Sequence, residues 1–325
     1  PALSKCPSRS KACKWAAHRA EIGVKRFLEK GHMNTEIKDK YINPYTDFGF
    51  KKLFGTDINK ELLISFLNAV FNGEQIITDL QYRNNEHLGT CCDERKAIFD
   101  VYCETERGEK IIVEMQNAAQ QYFKDRSVYY ATFPIQEQAK PGDWNFELKH
   151  VYTIGIINFT FENEATDNNP RHHVQLLDTC THKVFYDKLT FIYLEMPKFN
   201  KTEDELVSMY DKWLYVLRNL SRLQERPRAL QERVFTRLFE QAEIAKYSPA
   251  ELRNYEMSFK AYRDLCNIVD YTSSESLAKG IEIGTHNTQQ SNIQRMHAMN
   301  MSAETIACAL GMPIEEVKAA LHNLL

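Results

Sequence analysis

Apolar positions along this 325-residue chain recur with two different periods, and the change from one to the other marks out its parts. Leu62, Leu63, Phe66, Leu67 and Val70 return at helical spacing, which predicts an amphipathic first helix over residues 59–71. Residues 76–83 then read as a strand, followed by a polar loop through Asp93. Residues 96–104 and 110–116 are rich in strand formers: Ile98, Phe99, Val101 and Tyr102 in the first run, Ile111, Ile112 and Val113 in the second. Arg107-Gly108 between them is a turn signal, so the two runs predict the arms of one hairpin. A helix is expected from Asn117 to Phe133-Pro134, where proline should kink or end it. Buried strands are expected over 150–161 and 184–195. Beyond Pro197 the period turns helical again, over 202–223, 228–247 and 249–271, with Trp213 among the residues marking inner faces. Gly280, Gly284 and the polar run 285–291 read as a hinge or linker. Ser302 is the expected N-cap of a short helix, and Gly311-Met312-Pro313 separates it from another beginning at Ile314, a pair like a helix-turn-helix.

The hairpin carries the most chemistry. A turn centred near Arg107 puts Asp100 opposite Glu114, and strand alternation places Glu114 and Gln116 on one face. Two carboxylates and an amide then converge on a hard oxygen site suited to Mg²⁺, with Mn²⁺ as the alternative ion. On spacing alone, these acids are equally a solvated hairpin face.

The wider pattern is informative. Tyr41-Ile-Asn-Pro-Tyr-Thr-Asp47-Phe-Gly-Phe-Lys-Lys-Leu-Phe-Gly55, Asp100, Val113-Glu-Met-Gln116 and Lys124-Asp-Arg-Ser-Val-Tyr-Tyr130 follow one another in an order that resembles the PD-(D/E)XK nuclease superfamily, in its recombination-promoting nuclease (Rpn) or transposase branch. The resemblance extends from about Met33 to about Asp270. It implies an α/β fold, a restriction-endonuclease-like mixed β-sheet core flanked by helices and followed by a helical C-terminal region. It also implies a metal-dependent DNA endonuclease associated with transposition or recombination.

On that reading Asp100, Glu114 and the backbone carbonyl of Met115 hold the metal, and Gln116 orients the attacking water, where the superfamily name has lysine. Asp47 stands where the family has an acid ahead of its first helix; it orients a metal-bound water or caps a turn. Glu61 is its rival, or a surface glutamate. Arg126, Lys51 and Lys52 are candidates for DNA phosphate, and Tyr129 for stacking on a base. The bland alternatives are solvated lysines and a core tyrosine. His172, His173 and His182 match no usual ligand spacing and read as loop residues, and Trp144 as a corner or core aromatic.

Composition narrows the picture. Hydrophobic residues make up 43% and charged residues 26%, ordinary for a soluble chain able to bury a full core. Net charge is −3, but residues 1–32 hold eight Lys/Arg against two Asp/Glu, leaving 33 basic and 42 acidic residues elsewhere. Contact with nucleic acid therefore needs a local basic patch. The basic first 32 residues end in Gly31-His32 and read as a leader or non-native extension before a natural start at Met33, or else as a nucleic-acid-binding arm. Eight cysteines lack any Cys-x-x-Cys pair, which fits a reduced, cytoplasmic setting. No apolar run approaches the roughly 18 residues of a membrane span.

The expected organisation is a nuclease core over 33–196, a helical cap or subdomain over 197–283, and a linker with the terminal helical pair over 284–325. A homodimer is one expected assembly. The alternatives are a non-catalytic DNA-binding or assembly protein that keeps the fold, and a nuclease directed at RNA. The acidic balance of the last helix favours packing or dimerisation over groove reading.

Overall fold

The computed structural model describes residues 39–87, 97–161 and 168–322, and residues 40–325 form the unit in which the elements below lie. The expected leader over 1–32 and part of the polar loop before the hairpin fall outside the described residues.

The first described helix, α1 (Asp47–Phe54), lies outside the predicted elements, although Phe50, Leu53 and Phe54 return at helical spacing and are buried. It is short, and its start is built by side chains from the preceding turn. Thr46 caps it by accepting from the Gly49 N–H at 3.0 Å, while the Thr46 hydroxyl donates to the Asn43 carbonyl at 2.8 Å. Tyr45 N–H donates to Asn43 Oδ1 at 2.9 Å. The turn sits so close that a Cβ on Gly49 would lie 2.2 Å from the Asn43 carbonyl oxygen. Gly49→Ala is therefore expected to cost about 1–3 kcal/mol, the usual range for overpacking. A urea midpoint unchanged from wild type would show that the turn yields freely.

Helix α2 (Lys60–Phe71) appears where predicted and buries Leu62, Leu63, Phe66, Leu67 and Val70. The chain then enters the sheet through β1 (Leu80–Tyr82), forms a separate two-stranded pair from β2 (Glu86–His87) and β3 (Ala97–Ile98), and returns to the sheet with β4 (Val101–Thr105) and β5 (Lys110–Gln116). Helix α3 (Phe123–Gln136) crosses to β6 (Val151–Ile157), and β7 (Arg171–Leu177) and β8 (Val184–Glu195) complete it. Among the described residues the main sheet has six strands in the order β1-β4-β5-β6-β8-β7. The β5–β6 and β6–β8 pairs are parallel and the rest antiparallel, so the sheet is mixed, as expected. Every residue of β6 is buried, as its mostly apolar, β-branched sequence allows. Gly155 on β6 pairs with Glu114, and its missing side chain lets Tyr193 and Phe123 close over that point.

Four expectations change. The run 96–104 is not one strand: Ala97–Ile98 pairs with β2, and β4 starts only at Val101, after a bend at Asp100. Pro134 lies inside α3, which continues to Gln136. His172 and His173 lie on the edge strand β7, where backbone pairing with β8 tolerates polar side chains. His172 Nε2 lies 3.0 Å from buried Glu195. Finally, Gly280 and Gly284 do not mark a hinge.

That last correction concerns the helical region. Helices α4 (Met209–Asn219) and α5 (Arg233–Ala242) carry Trp213 and Phe235 inward. Helix α6 (Pro249–Ala298) then runs unbroken for 50 residues, about 75 Å at 1.5 Å per residue. It passes through both glycines and the polar run 285–291. A glycine in an exposed helix costs only about 1 kcal/mol, which good neighbours on either side outweigh. The chain ends in α7 (Ala303–Leu310) and α8 (Ile314–His322), with Ser302 capping α7 and Gly311 in the left-handed region at φ 66°. Ile306, Ala307 and Val317 pack on Ile293 near the end of α6. No helix among the described residues is long and apolar enough to cross a membrane.

Candidate active site

The site forms where the hairpin comes apart. Strand β4 pairs with β5 from Glu104↔Lys110 to Val101↔Val113, and the turn centres on Arg107 as the spacing predicts. Past Val113 the partner strand leaves. Phe99 N–H turns away to donate to the Asn85 carbonyl at 2.9 Å, and Asn85 Nδ2 donates to the Asp100 carbonyl at 3.0 Å. Asn85 thus pins the bend, a role its sequence context does not reveal.

The bend leaves one edge of β5 open at Met115, and Asp100 fills it. Met115 N–H donates to Asp100 Oδ2 at 2.7 Å, and Asp100 N–H donates to Glu114 Oε1 at 3.3 Å. Each acid is held by a backbone group beside the other. A strand residue presents its N–H and C=O to the same edge, so the Met115 carbonyl faces the Asp100 side too. Both acids are pushed toward their neutral forms. Burial is the main cause for each, and the charge of Asp100 adds to it at Glu114, which is raised to about 8. Lys51 and Arg126 oppose the shift at both.

Asp47, Lys51, Asn85 and Asp100 line one cleft of about 790 Å³, whose far wall is the start of α6 with Asn254 and Met257. Asp47 and Lys51 are one turn apart on α1 and ion-paired at 2.7 Å. Lys52 also borders the cleft but is bound to Glu251 at 2.6 Å and lies 5.3 Å from the Tyr247 ring, fastening α1 to the start of α6. Glu61 is drawn elsewhere, to Arg237 at 2.8 Å.

Helix α3 supplies the remaining side. Arg126 donates to Gln116 Oε1 at 2.6 Å and also to Gln120 Oε1, while Gln116 Nε2 donates to the Ala118 carbonyl at 3.0 Å. Tyr129 is exposed and packs edge-on to Phe133. Its neighbour Tyr130 is the tyrosine that feels the charges of Glu114 and Asp100, and its ring lies 5.4 Å from that of Phe99.

A family model described as PD-(D/E)XK nuclease family transposase matches residues 44–272. The chain belongs to this family. Comparison with curated proteins and with solved structures yields no match. The part of this PD-(D/E)XK transposase that the family model covers runs from just before α1 into α6, so it takes in every residue of the cleft and of the splayed hairpin and stops short of α7 and α8.

Proposed function

We propose that this PD-(D/E)XK family transposase is a metal-dependent endonuclease that hydrolyses phosphodiester bonds in DNA. The observation that carries the reading is the reciprocal hold on Asp100 and Glu114 at the open end of β5. Two half-buried carboxylates side by side repel one another, and structure is spent to keep them there. A divalent cation relieves that repulsion.

The donor set fits a small hard ion. Asp100 and Glu114 contribute carboxylate oxygens and Met115 its carbonyl, and all three face one edge. Among the described residues no group of three or more Asp, Glu, His or Cys that could hold a metal assembles, so an ion bound here would take two carboxylates and a carbonyl from the protein. Bound there, Mg²⁺ or Mn²⁺ supplies charge neutralisation at the phosphate and an activated water. Lys51 from α1 and Arg126 from α3, whose charges both act on the acids, bind the oxygens of the phosphate being cut. Asp47 holds the Lys51 ammonium in place. Lys52 serves the α1–α6 contact and reaches phosphate only where the strand passes the end of the cleft.

The test is cleavage of supercoiled and linear DNA, with RNA alongside, in Mg²⁺, Mn²⁺ and Ca²⁺ and after chelation. Mg²⁺ and Mn²⁺ are expected to support cutting that chelation abolishes and that Asp100→Ala and Glu114→Ala each remove. Cutting that persists in both variants or in chelator would overturn the site.

A further inference from the structure

We infer that the catalytic positive charge of this site is carried by Arg126 on α3, with Gln116 acting as the residue that positions it. The inference rests on the nuclease reading and assigns Gln116 a different task from orienting water.

Partner chemistry determines how Gln116 is turned. Arg126 can only donate and the Ala118 carbonyl can only accept, so Oε1 must face the guanidinium and Nε2 the carbonyl. The amide is thereby locked from both ends onto the loop and helix that follow β5. Arg126 is held by a second amide oxygen, that of Gln120, and its guanidinium lies 5.6 Å from the Phe123 ring and 5.7 Å from that of Tyr130. All of these partners are neutral. Among the described residues no carboxylate forms an ion pair with Arg126, whereas the Lys51 charge is matched by Asp47 at 2.7 Å. The guanidinium therefore keeps its full charge in a fixed place, acts on both Asp100 and Glu114, and has three of its five N–H groups left for phosphate oxygens.

The arrangement also accounts for glutamine at position 116. A lysine there would set an ammonium where Oε1 now meets the guanidinium. A glutamate would neutralise Arg126 and turn a second oxygen toward the Ala118 carbonyl. Glutamine bridges the two without altering the charge.

The experiment is a charge exchange. Gln116→Lys and Arg126→Gln are each expected to lower kcat/KM for DNA cleavage roughly a hundredfold, the scale of losing one preorganised transition-state donor. The combined Gln116→Lys/Arg126→Gln protein should recover to within about tenfold of wild type, since the cation has moved rather than gone. Binding of a labelled oligonucleotide in Ca²⁺ supplies a second readout. The slope of log affinity against log salt should fall by about one in Arg126→Gln, return in the double variant, and stay unchanged in Arg126→Lys. Arg126→Lys should nevertheless lose kcat, because an ammonium lacks the planar fork that holds two amides and a phosphate together. If the wild type cuts but the double variant does no better than the worse single one, the charge is not interchangeable and the inference falls while the nuclease reading stands. A wild type that neither cuts nor binds with any of the metals overturns both.

Discussion

Asp100→Asn is expected to leave the protein folded and to reduce its cleavage of DNA by at least about a thousandfold. The substituted amide keeps an oxygen for the Met115 N–H, which Asp100 Oδ2 accepts at 2.7 Å, so the bend before β4 retains its hydrogen bond. It also removes an acid whose charged form burial disfavours and whose charge raises its neighbour Glu114. Without metal, the melting temperature of the variant should therefore equal or exceed that of the wild type. Added Mn²⁺ should separate them. Ligand that binds the native state alone stabilises it by about 2.7 kcal/mol at a hundred times its Kd, and this gain should appear in the wild type and be largely lost in the variant. The activity loss follows from the same site: Lewis-acid stabilisation of a phosphoryl transition state is worth several kcal/mol, and about 4 kcal/mol is a thousandfold. Thermal melts with and without Mn²⁺, run beside the cleavage assay, separate a metal ligand from a structural acid. A variant that melts lower in the absence of metal, or that cuts within tenfold of wild type, would show that Asp100 holds the hairpin and little else.

The largest effect on stability should come from Trp213→Ala, at about 3–5 kcal/mol by comparison with other aromatic truncations in cores. Trp213 is fully buried on α4, its ring 5.7 Å from Phe54, 5.8 Å from Phe66 and 5.2 Å from Phe235. Its indole N–H donates to Ser65 Oγ at 3.1 Å. The ring therefore joins α1, α2, α4 and α5. Phe54 is the last residue of α1, the helix that brings Asp47 and Lys51 to the cleft, so loosening it should weaken activity as well as the fold. Against a typical stability of about 5–15 kcal/mol this is a large fraction. Urea denaturation measures it directly, and Trp213→Phe, which leaves a smaller cavity but still loses the indole bond, should fall in between. A loss below about 1 kcal/mol would mean that the helices hold together without this contact.

The hairpin was legible from sequence because everything that specifies it is local. Strand formers flank Arg107-Gly108, and counting outward from that turn gives the pairing as far as Val101↔Val113, one residue short of Asp100, whose N–H bonds Glu114. The same local logic finds α2 from its apolar stripe and α7 and α8 from Ser302 and Gly311. It falls short elsewhere for other reasons: α1 is only two turns long and is started by a local turn of Asn43 and Thr46, β7 is held by its neighbour's backbone, and α6 overrides two glycines whose cost is small beside the helix on either side.

At the site, the sequence by itself determined which groups the proposed chemistry draws on: two acids, an amide and a few cations, with the acids brought together by a short turn. Only the tertiary structure decided how they are arranged. It bent the chain at Asp100 to open the Met115 edge, turned Tyr130 rather than Tyr129 toward the acids, and set Arg126 on Gln116. It also drew Lys52 away to Glu251, 199 positions along the chain. Residue type and turn chemistry act over a few positions, whereas the rotation of a helix about its axis depends on the surface it packs against, and that surface comes from distant parts of the chain.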